Sequence, residues 1–138
     1  MRRNIFLIYF LLFFGFSFSV ANAQTIDGKQ QEILIRLFAS YNISSVNFFQ
    51  VSGEYAIYGD SVKLFHTDKI SFITISFSGD SILLQLPNYT RKFHSLRFVP
   101  QSAFSSFKLK SVLPDYKVRT YDDELLISAQ LKTLRLIN

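Results

Sequence analysis

Residues that could support catalysis or metal binding are few and widely spaced in this 138-residue chain. His66 and His94 have no third ligand at metal spacing, and the absence of cysteine excludes thiol catalysis and Cys-ligated zinc. Asp122-Asp123-Glu124 clusters three carboxylates, but no calcium-loop spacing surrounds them, so we favour an acidic hairpin turn. The sequence therefore predicts no metal site and no cofactor.

Acid catalysis on a sugar would need a carboxylic acid with a raised pKa beside an apolar wall. Glu54 and Glu124 each precede a predicted strand, where we expect exposure to solvent. The chain also has no G-x-S-x-G elbow, no P-loop and no G-x-G-x-x-G motif. We therefore assign no catalytic residue.

Aromatic side chains are the remaining candidates, because exposed rings can stack on sugars. Phenylalanine is more often a core residue than a platform, so Phe48, Phe49, Phe72 and Phe77 are expected in the core. Tyrosine has a polar hydroxyl and fits a surface contact better. The candidate glycan contacts are Tyr55, Tyr58 and Tyr121, with Tyr89 a further possibility.

Two hairpins are the clearest elements that would position these side chains. Residues 54–58 run through Gly59-Asp60 into 62–66, and residues 70–77 run through Ser78-Gly79-Asp80 into 82–86. Glycine accepts positive φ and aspartate tolerates it, so both Gly-Asp pairs predict tight turns. The repeated Gly-Asp-Ser tripeptide suggests a duplication, but two similar hairpins explain it better.

The rest of the mature chain is also read as strands. Residues 30–38 alternate, and residues 46–51 form a second candidate. With the two hairpins and the segments after them, the chain has about ten short strands in all, at spacings typical of antiparallel folds. We therefore predict an all-β fold, a barrel or a sandwich, in a single domain.

The first 23 residues have the layout of a secretory signal peptide. Met1 to Asn4 is basic, an apolar run follows from Ile5 to Val20, and Ala21-Asn22-Ala23 supplies small residues for a peptidase. An uncleaved anchor is the alternative, but sixteen residues of helix would rise only about 24 Å. We predict cleavage after Ala23 and secretion to the periplasm or cell envelope, with membrane contact only through the uncleaved signal.

The mature part, residues 24–138, has a mild positive charge. Thirteen Lys and Arg stand against ten Asp and Glu, a net charge of about +3. The basic residues are scattered and the chain is predicted to be secreted, so nucleic acid is not an expected partner. The charge supports only a weak preference for anionic partners such as cell-wall polymer.

The order of several short segments resembles the front half of the stage II sporulation protein D / LytB amidase-enhancer family (SpoIID/LytB). That family has an I-R-I-x-L strand, a G-x-Y hairpin, an R-x-Y-x-G-x-L-x-V hairpin and an L-x-L-I-N strand. The matching pieces here, between residues 33 and 138, are Ile35-Arg36-Leu37, Gly53-Glu54-Tyr55, Arg119-Thr120-Tyr121 and Leu134-Arg135-Leu136-Ile137-Asn138. Asp123 stands where the family has glycine, a position that aspartate can occupy in the left-handed region.

The resemblance implies a cell-wall protein whose partners are peptidoglycan or an amidase. Family members cut glycan strands or stimulate an amidase, and their catalytic glutamate follows the L-I-N strand. No catalytic residue is therefore carried over onto this chain, which is expected to be a truncated, inactive scaffold or contact region. An unpaired apolar edge at Leu134 to Ile137 is then expected, and the codons after Asn138 test the truncation.

Two alternatives remain. One is a complete, small, non-catalytic envelope β-domain that binds a ligand or a surface partner. The other is a stand-alone enzyme, which would have to release soluble muropeptides from cell-wall sacculi.

Overall fold

The computed structural model describes residues 33–67 and 72–138, which belong to one unit of the chain. The predicted signal peptide and its cleavage site lie outside these residues. Within them, no helix is long and apolar enough to span a membrane.

Twelve strands make up the described part of the chain. They are β1 (Arg36–Leu37), β2 (Ser45–Ser52), β3 (Tyr55–Gly59), β4 (Val62–His66), β5 (Ile73–Ser78), β6 (Ser81–Leu86), β7 (Tyr89–Phe93), β8 (Ser95–Pro100), β9 (Ser106–Leu113), β10 (Arg119–Asp122), β11 (Leu125–Gln130) and β12 (Thr133–Ile137).

The strands form two antiparallel sheets of six. The first sheet has the order β1-β12-β11-β8-β3-β4, and the second has the order β10-β9-β2-β5-β6-β7. The all-β prediction is confirmed, and the architecture is the sandwich rather than the closed barrel.

The core lies between the sheets because side chains alternate along each strand. In β5, Ile73 and Ile75 are buried, whereas the alternate residues Thr74 and Ser76 are partly exposed. The centre is aromatic: the Phe48 ring centroid lies 4.6 Å from that of Phe98 and 5.1 Å from that of Phe107. Phe48 is therefore a core residue, as predicted.

The two Gly-Asp-Ser tripeptides adopt different registers. In the first hairpin Gly59 is the last residue of β3, and Asp60 and Ser61 take the positive φ angles of 49° and 71°. In the second, Gly79 itself has φ of 75°. The prediction that glycine supplies positive φ is confirmed at Gly79 and is wrong at Gly59.

Gly59 is required for a different reason. A Cβ atom there would lie 2.3 Å from Cε1 of Phe93, a buried side chain on β7 of the second sheet. Since carbon atoms normally approach to about 3.5 Å, only a residue without a side chain fits.

The acidic segment 122–124 is a corner between the sheets, not the hairpin turn that the sequence predicted. β10 pairs with β9 in the second sheet, whereas β11 lies in the first sheet between β12 and β8. Asp123 has φ of 64°, which confirms that aspartate occupies the left-handed position. The Asn138 side-chain amide donates to the carbonyl oxygens of Asp122 and Glu124, which fixes the corner to the end of β12.

The first and last strands of the described unit lie side by side. Arg36 pairs with Ile137 and Leu37 with Leu136, and Ile35 and Asn138 exchange two backbone hydrogen bonds. β12 therefore has a partner on both sides, and the expected unpaired edge at Leu134 to Ile137 is not present. Of the strand predicted over 30–38, residues 33–38 are described, and among these only Arg36–Leu37 form a strand, which ends where Phe38 turns the chain with φ of 52°.

Candidate functional site

Tyr55 lies in the core and cannot be a surface contact. Its side chain is fully buried, with its ring against Phe48 and Phe107 at right angles, 5.6 Å from each. Burial raises the pKa of its phenol above the usual value, and the negative charges of Asp122 and Asp123 add a smaller effect in the same direction. The prediction of a glycan contact at Tyr55 is therefore corrected: the alternation of β3 points this ring inward.

Tyr121 also faces the core, although it is only half-buried. Its ring packs on Phe107 with the centroids 5.7 Å apart. Burial raises the pKa of its phenol, although the nearby Arg119 guanidinium acts in the opposite direction. Tyr89 likewise packs on Phe65 at 5.7 Å. Both rings are half-buried and pack against neighbouring aromatic side chains.

Of the three tyrosines predicted as glycan contacts, Tyr58 is the one on the outer face of its sheet. It is half-buried on β3, and its neighbours Ile57 and Gly59 face the core. It lines a groove of about 490 Å³ on the outer face of the first sheet. The groove has the volume of a small-ligand site.

The register of four strands builds this groove. Tyr58 pairs with Arg97, Arg97 with Leu126, and Leu126 with Ile137, so the four side chains stand in one row across β3, β8, β11 and β12. Neighbouring strands lie about 4.8 Å apart, so the row measures about 14 Å. The other lining residues are Ser61, Ser95, Leu96, Ile127, Ser128 and Arg135.

Arg97 is held in place by an acidic neighbour. Its Nε lies 2.5 Å from Oε1 of Glu124, and its Nη2 lies 2.7 Å from Oε2. This is the bidentate geometry that planar guanidinium and carboxylate groups favour. The pair orients one wall of the groove and neutralises the charge of Arg97.

Arg135 supplies a second guanidinium with no such neighbour. It is exposed on β12 and pairs in register with Ser128, which in turn pairs with Ser95. In the described part of the chain no carboxylate forms a salt bridge with Arg135. Its charge is therefore available to an anionic ligand, with two hydroxyl groups alongside.

More positive charge continues the row at both ends. Arg36 of β1 pairs with Ile137, and Lys63 of β4 pairs with Tyr58, so the row crosses all six strands of the first sheet. This arrangement can hold an anion and contact an apolar or sugar ring. Among the described residues, no three His, Cys, Asp or Glu side chains are grouped as a metal site would require.

The sequence alone did not reveal Arg97 and Arg135 as functional residues. Each lies at an outward position of an alternating strand, which is the ordinary place for a charged residue. They are 38 positions apart in sequence and share the groove only because β11 lies between β8 and β12. Side-chain alternation in the sequence could show that both arginines face outward. It could not show that they share a groove, because it does not give the order of the strands in the sheet.

No protein-family model matches the chain, and comparisons with curated proteins and with solved structures find no similar protein. The resemblance to the SpoIID/LytB family accordingly stays a prediction from the order of its motifs.

Proposed function

We propose that this chain is a non-catalytic, glycan-contacting β-sandwich of a secreted cell-wall protein related to the SpoIID/LytB family. The observation that carries the proposal is the groove on the first sheet, where Arg135, Tyr58 and two serines meet on paired strands. The ligand class is a carboxylate-bearing glycan, for which peptidoglycan is the cell-wall example.

The chemistry of the groove supports an anionic sugar polymer. A guanidinium group binds a carboxylate through two parallel hydrogen bonds, and serine hydroxyls both donate and accept. The tyrosine ring and the Leu126 side chain supply apolar surface for the carbon face of a sugar ring. Peptidoglycan combines these groups, since it carries carboxylates on its peptide substituents and on those lactyl groups that bear no peptide.

The family part of the proposal is supported by where its motif pieces lie. Ile35-Arg36-Leu37 and Leu134 to Asn138 contribute β1 and β12, which are neighbours in the first sheet. Arg135, inside the second of these pieces, lines the groove. In this proposal the chain positions glycan, while bond cleavage or amidase activation belongs to other residues or to a partner.

A sedimentation assay with purified sacculi tests the proposal. Arg135→Gln should weaken binding about tenfold, because a charge-assisted hydrogen bond contributes about 1.5 kcal/mol or more. Lys117→Gln removes the same charge from an exposed loop and should have little effect. Equal weakening by both variants would show that general charge attraction, not the groove, holds the polymer.

Tyr58→Ala provides an uncharged test of the same surface. It should weaken binding about fivefold, whereas Tyr41→Ala, at an exposed tyrosine that does not line the groove, should not. The wild-type protein should release no soluble muropeptides from the sacculi, and their release would overturn the non-catalytic part of the proposal. Binding that survives complete removal of glycan would favour a protein partner.

A further inference from the structure

The outer face of the second sheet presents an unbroken line of hydrogen-bonding side chains. Lys110 pairs with Asn47, Asn47 with Thr74, Thr74 with Gln85, and Gln85 with Thr90. These five residues, which we call the polar row, stand in register on β9, β2, β5, β6 and β7. Four strand spacings give the row a length of about 19 Å.

Much of the hydrogen-bonding capacity of the polar row is unused. The Thr74 hydroxyl donates to Oδ1 of Asn47 at 2.9 Å, which orients the amide and leaves its Nδ2 atom as a donor. In the described part of the chain, neither that nitrogen nor the Gln85 side chain has a hydrogen-bond partner. The row therefore offers both donors and acceptors along its length.

An aromatic pair lies beside the polar row. The ring centroids of Phe49 and Phe72 are 5.9 Å apart, and Phe72 is 46% exposed. The sequence predicted both as core residues, and the structure corrects this, since the inward positions are taken by Phe48 and Ile73. Phe72 lies directly before β5, so the pair places partly exposed aromatic surface beside the polar row.

The charged side chains within the polar row and beside the aromatic pair are positive. Lys108 pairs with Phe49, so two lysines project near the aromatic pair and the polar row. Neither the polar row nor the neighbouring register pair of Lys108 and Phe49 contains a carboxylate. Lys110 lies 3.9 Å from Asp115, but both side chains are largely exposed, so this ion pair leaves the ammonium group accessible.

We propose that the outer face of the second sheet binds an extended polysaccharide that carries carboxylate groups. The chain of sugars lies along the polar row, with its hydroxyl groups on Asn47, Thr74 and Gln85, its carboxylates on Lys108 and Lys110, and a sugar ring against Phe72. This site is separate from the groove on the first sheet and does not depend on it.

Other macromolecules fit this face less well. A protein interface has a desolvated apolar or aromatic centre, whereas the centre here is a row of polar side chains. Binding to a nucleic acid requires many phosphate contacts from Lys and Arg, and the two lysines near the aromatic pair supply few. A polysaccharide fits better, because side-chain amides can form hydrogen bonds with sugar hydroxyl groups and an aromatic ring can stack on the face of a sugar.

The test uses a hyaluronan octasaccharide, which alternates carboxylate-bearing and acetamido sugars, and chitohexaose, which is uncharged. Calorimetric titrations of residues 24–138 should show that hyaluronan binds about tenfold more tightly than chitohexaose. Phe72→Ala should weaken hyaluronan binding about fivefold, while Phe104→Ala, at a phenylalanine that is 87% exposed in a loop, should leave it unchanged.

Substitutions in the polar row complete the test. Gln85→Glu places a negative charge in the row and should weaken hyaluronan binding about tenfold, but Gln130→Glu at the end of β11 should not. All four variants change outward or loop side chains, and unchanged circular dichroism would verify folding. The groove variant Arg135→Gln should bind hyaluronan with unchanged affinity. That result would show that the groove on the first sheet and the face of the second sheet are independent sites.

Three results would overturn the proposal. They are equal affinity for the charged and uncharged oligosaccharides, equal effects of each variant and its control, and tighter binding of a single-stranded DNA oligonucleotide than of hyaluronan. Undetectable hyaluronan binding at millimolar concentration would also reject it, whatever the outcome with sacculi.

Discussion

The two glycines of the repeated Gly-Asp-Ser tripeptide should respond to substitution for opposite reasons. At Gly59 the backbone φ is ordinary, but a Cβ atom would meet three Phe93 ring atoms at 2.3, 2.4 and 2.9 Å. At Gly79 nothing lies within 4 Å of an added Cβ, but φ is 75°. Alanine therefore causes a steric clash at the first position and backbone strain at the second.

The size of each effect follows from these geometries. Carbon atoms pack at about 3.5 Å, so Gly59→Ala requires Phe93 to move by more than about 1 Å. Overpacking of a buried ring in this way costs about 2 kcal/mol, or roughly 10 °C in the melting temperature of a domain of this size. Gly79→Ala costs about 1 kcal/mol, the preference of an L-residue against left-handed backbone.

A double-mutant cycle distinguishes the two causes. Phe93→Val removes the ring atoms that the Cβ would meet, so it should recover about 1–2 kcal/mol of the Gly59→Ala loss. It should recover nothing of the Gly79→Ala loss, which Gly79→Asn should reduce instead, because asparagine tolerates positive φ. Denaturant unfolding followed by circular dichroism measures the free energy of unfolding of the wild type and of each variant. Additive effects of Gly59→Ala and Phe93→Val would refute the reasoning.

Three further predictions concern ionisable groups. Burial acts to raise the pKa of Asp60, but the backbone N–H groups of Ser95 and His94 donate to its carboxylate and hold that pKa below its usual value. The free energy of unfolding should therefore fall as acid protonates the Asp60 carboxylate. Asp60→Ala should cost about 1–2 kcal/mol and Asp60→Asn less in urea titrations at pH 7. The raised pKa of Tyr55 means that stability should fall above about pH 10, where unfolded tyrosine ionises, and Tyr55→Phe should reduce that fall in alkaline unfolding curves. Glu124→Gln should cost less than about 1 kcal/mol, because its Arg97 partner is largely exposed, and the difference should shrink in 1 M salt.

The strand pattern was largely predictable because it is a local property. Side-chain alternation with period two marks a half-buried strand wherever it occurs, and it located β2, both hairpins and the all-β class. It overestimated the strand at residues 33–38, where only Arg36–Leu37 form a strand and Phe38 turns the chain. Local pattern shows where a strand is possible, and tertiary pairing decides how much of it forms.

The candidate sites were much less predictable, because they depend on which strands are neighbours. Of the three tyrosines chosen as glycan contacts, Tyr58 alone lies on an outer face, and the parity of its strand decides this. Phe72 shows the converse, since it was expected in the core and is 46% exposed. Alternation gives two faces but does not say which of them the second sheet will cover.

By itself the sequence determined that this protein is built from short antiparallel strands, with left-handed positions at Gly79 and Asp123. Only the tertiary structure decided that β10 and β11 belong to different sheets, that Arg97 and Arg135 share a groove, and that five polar side chains form one row. The physical reason is the range of the interactions. Turns and alternation arise within a few residues, whereas a surface of aligned side chains requires hydrogen-bond register between strands that are distant in sequence.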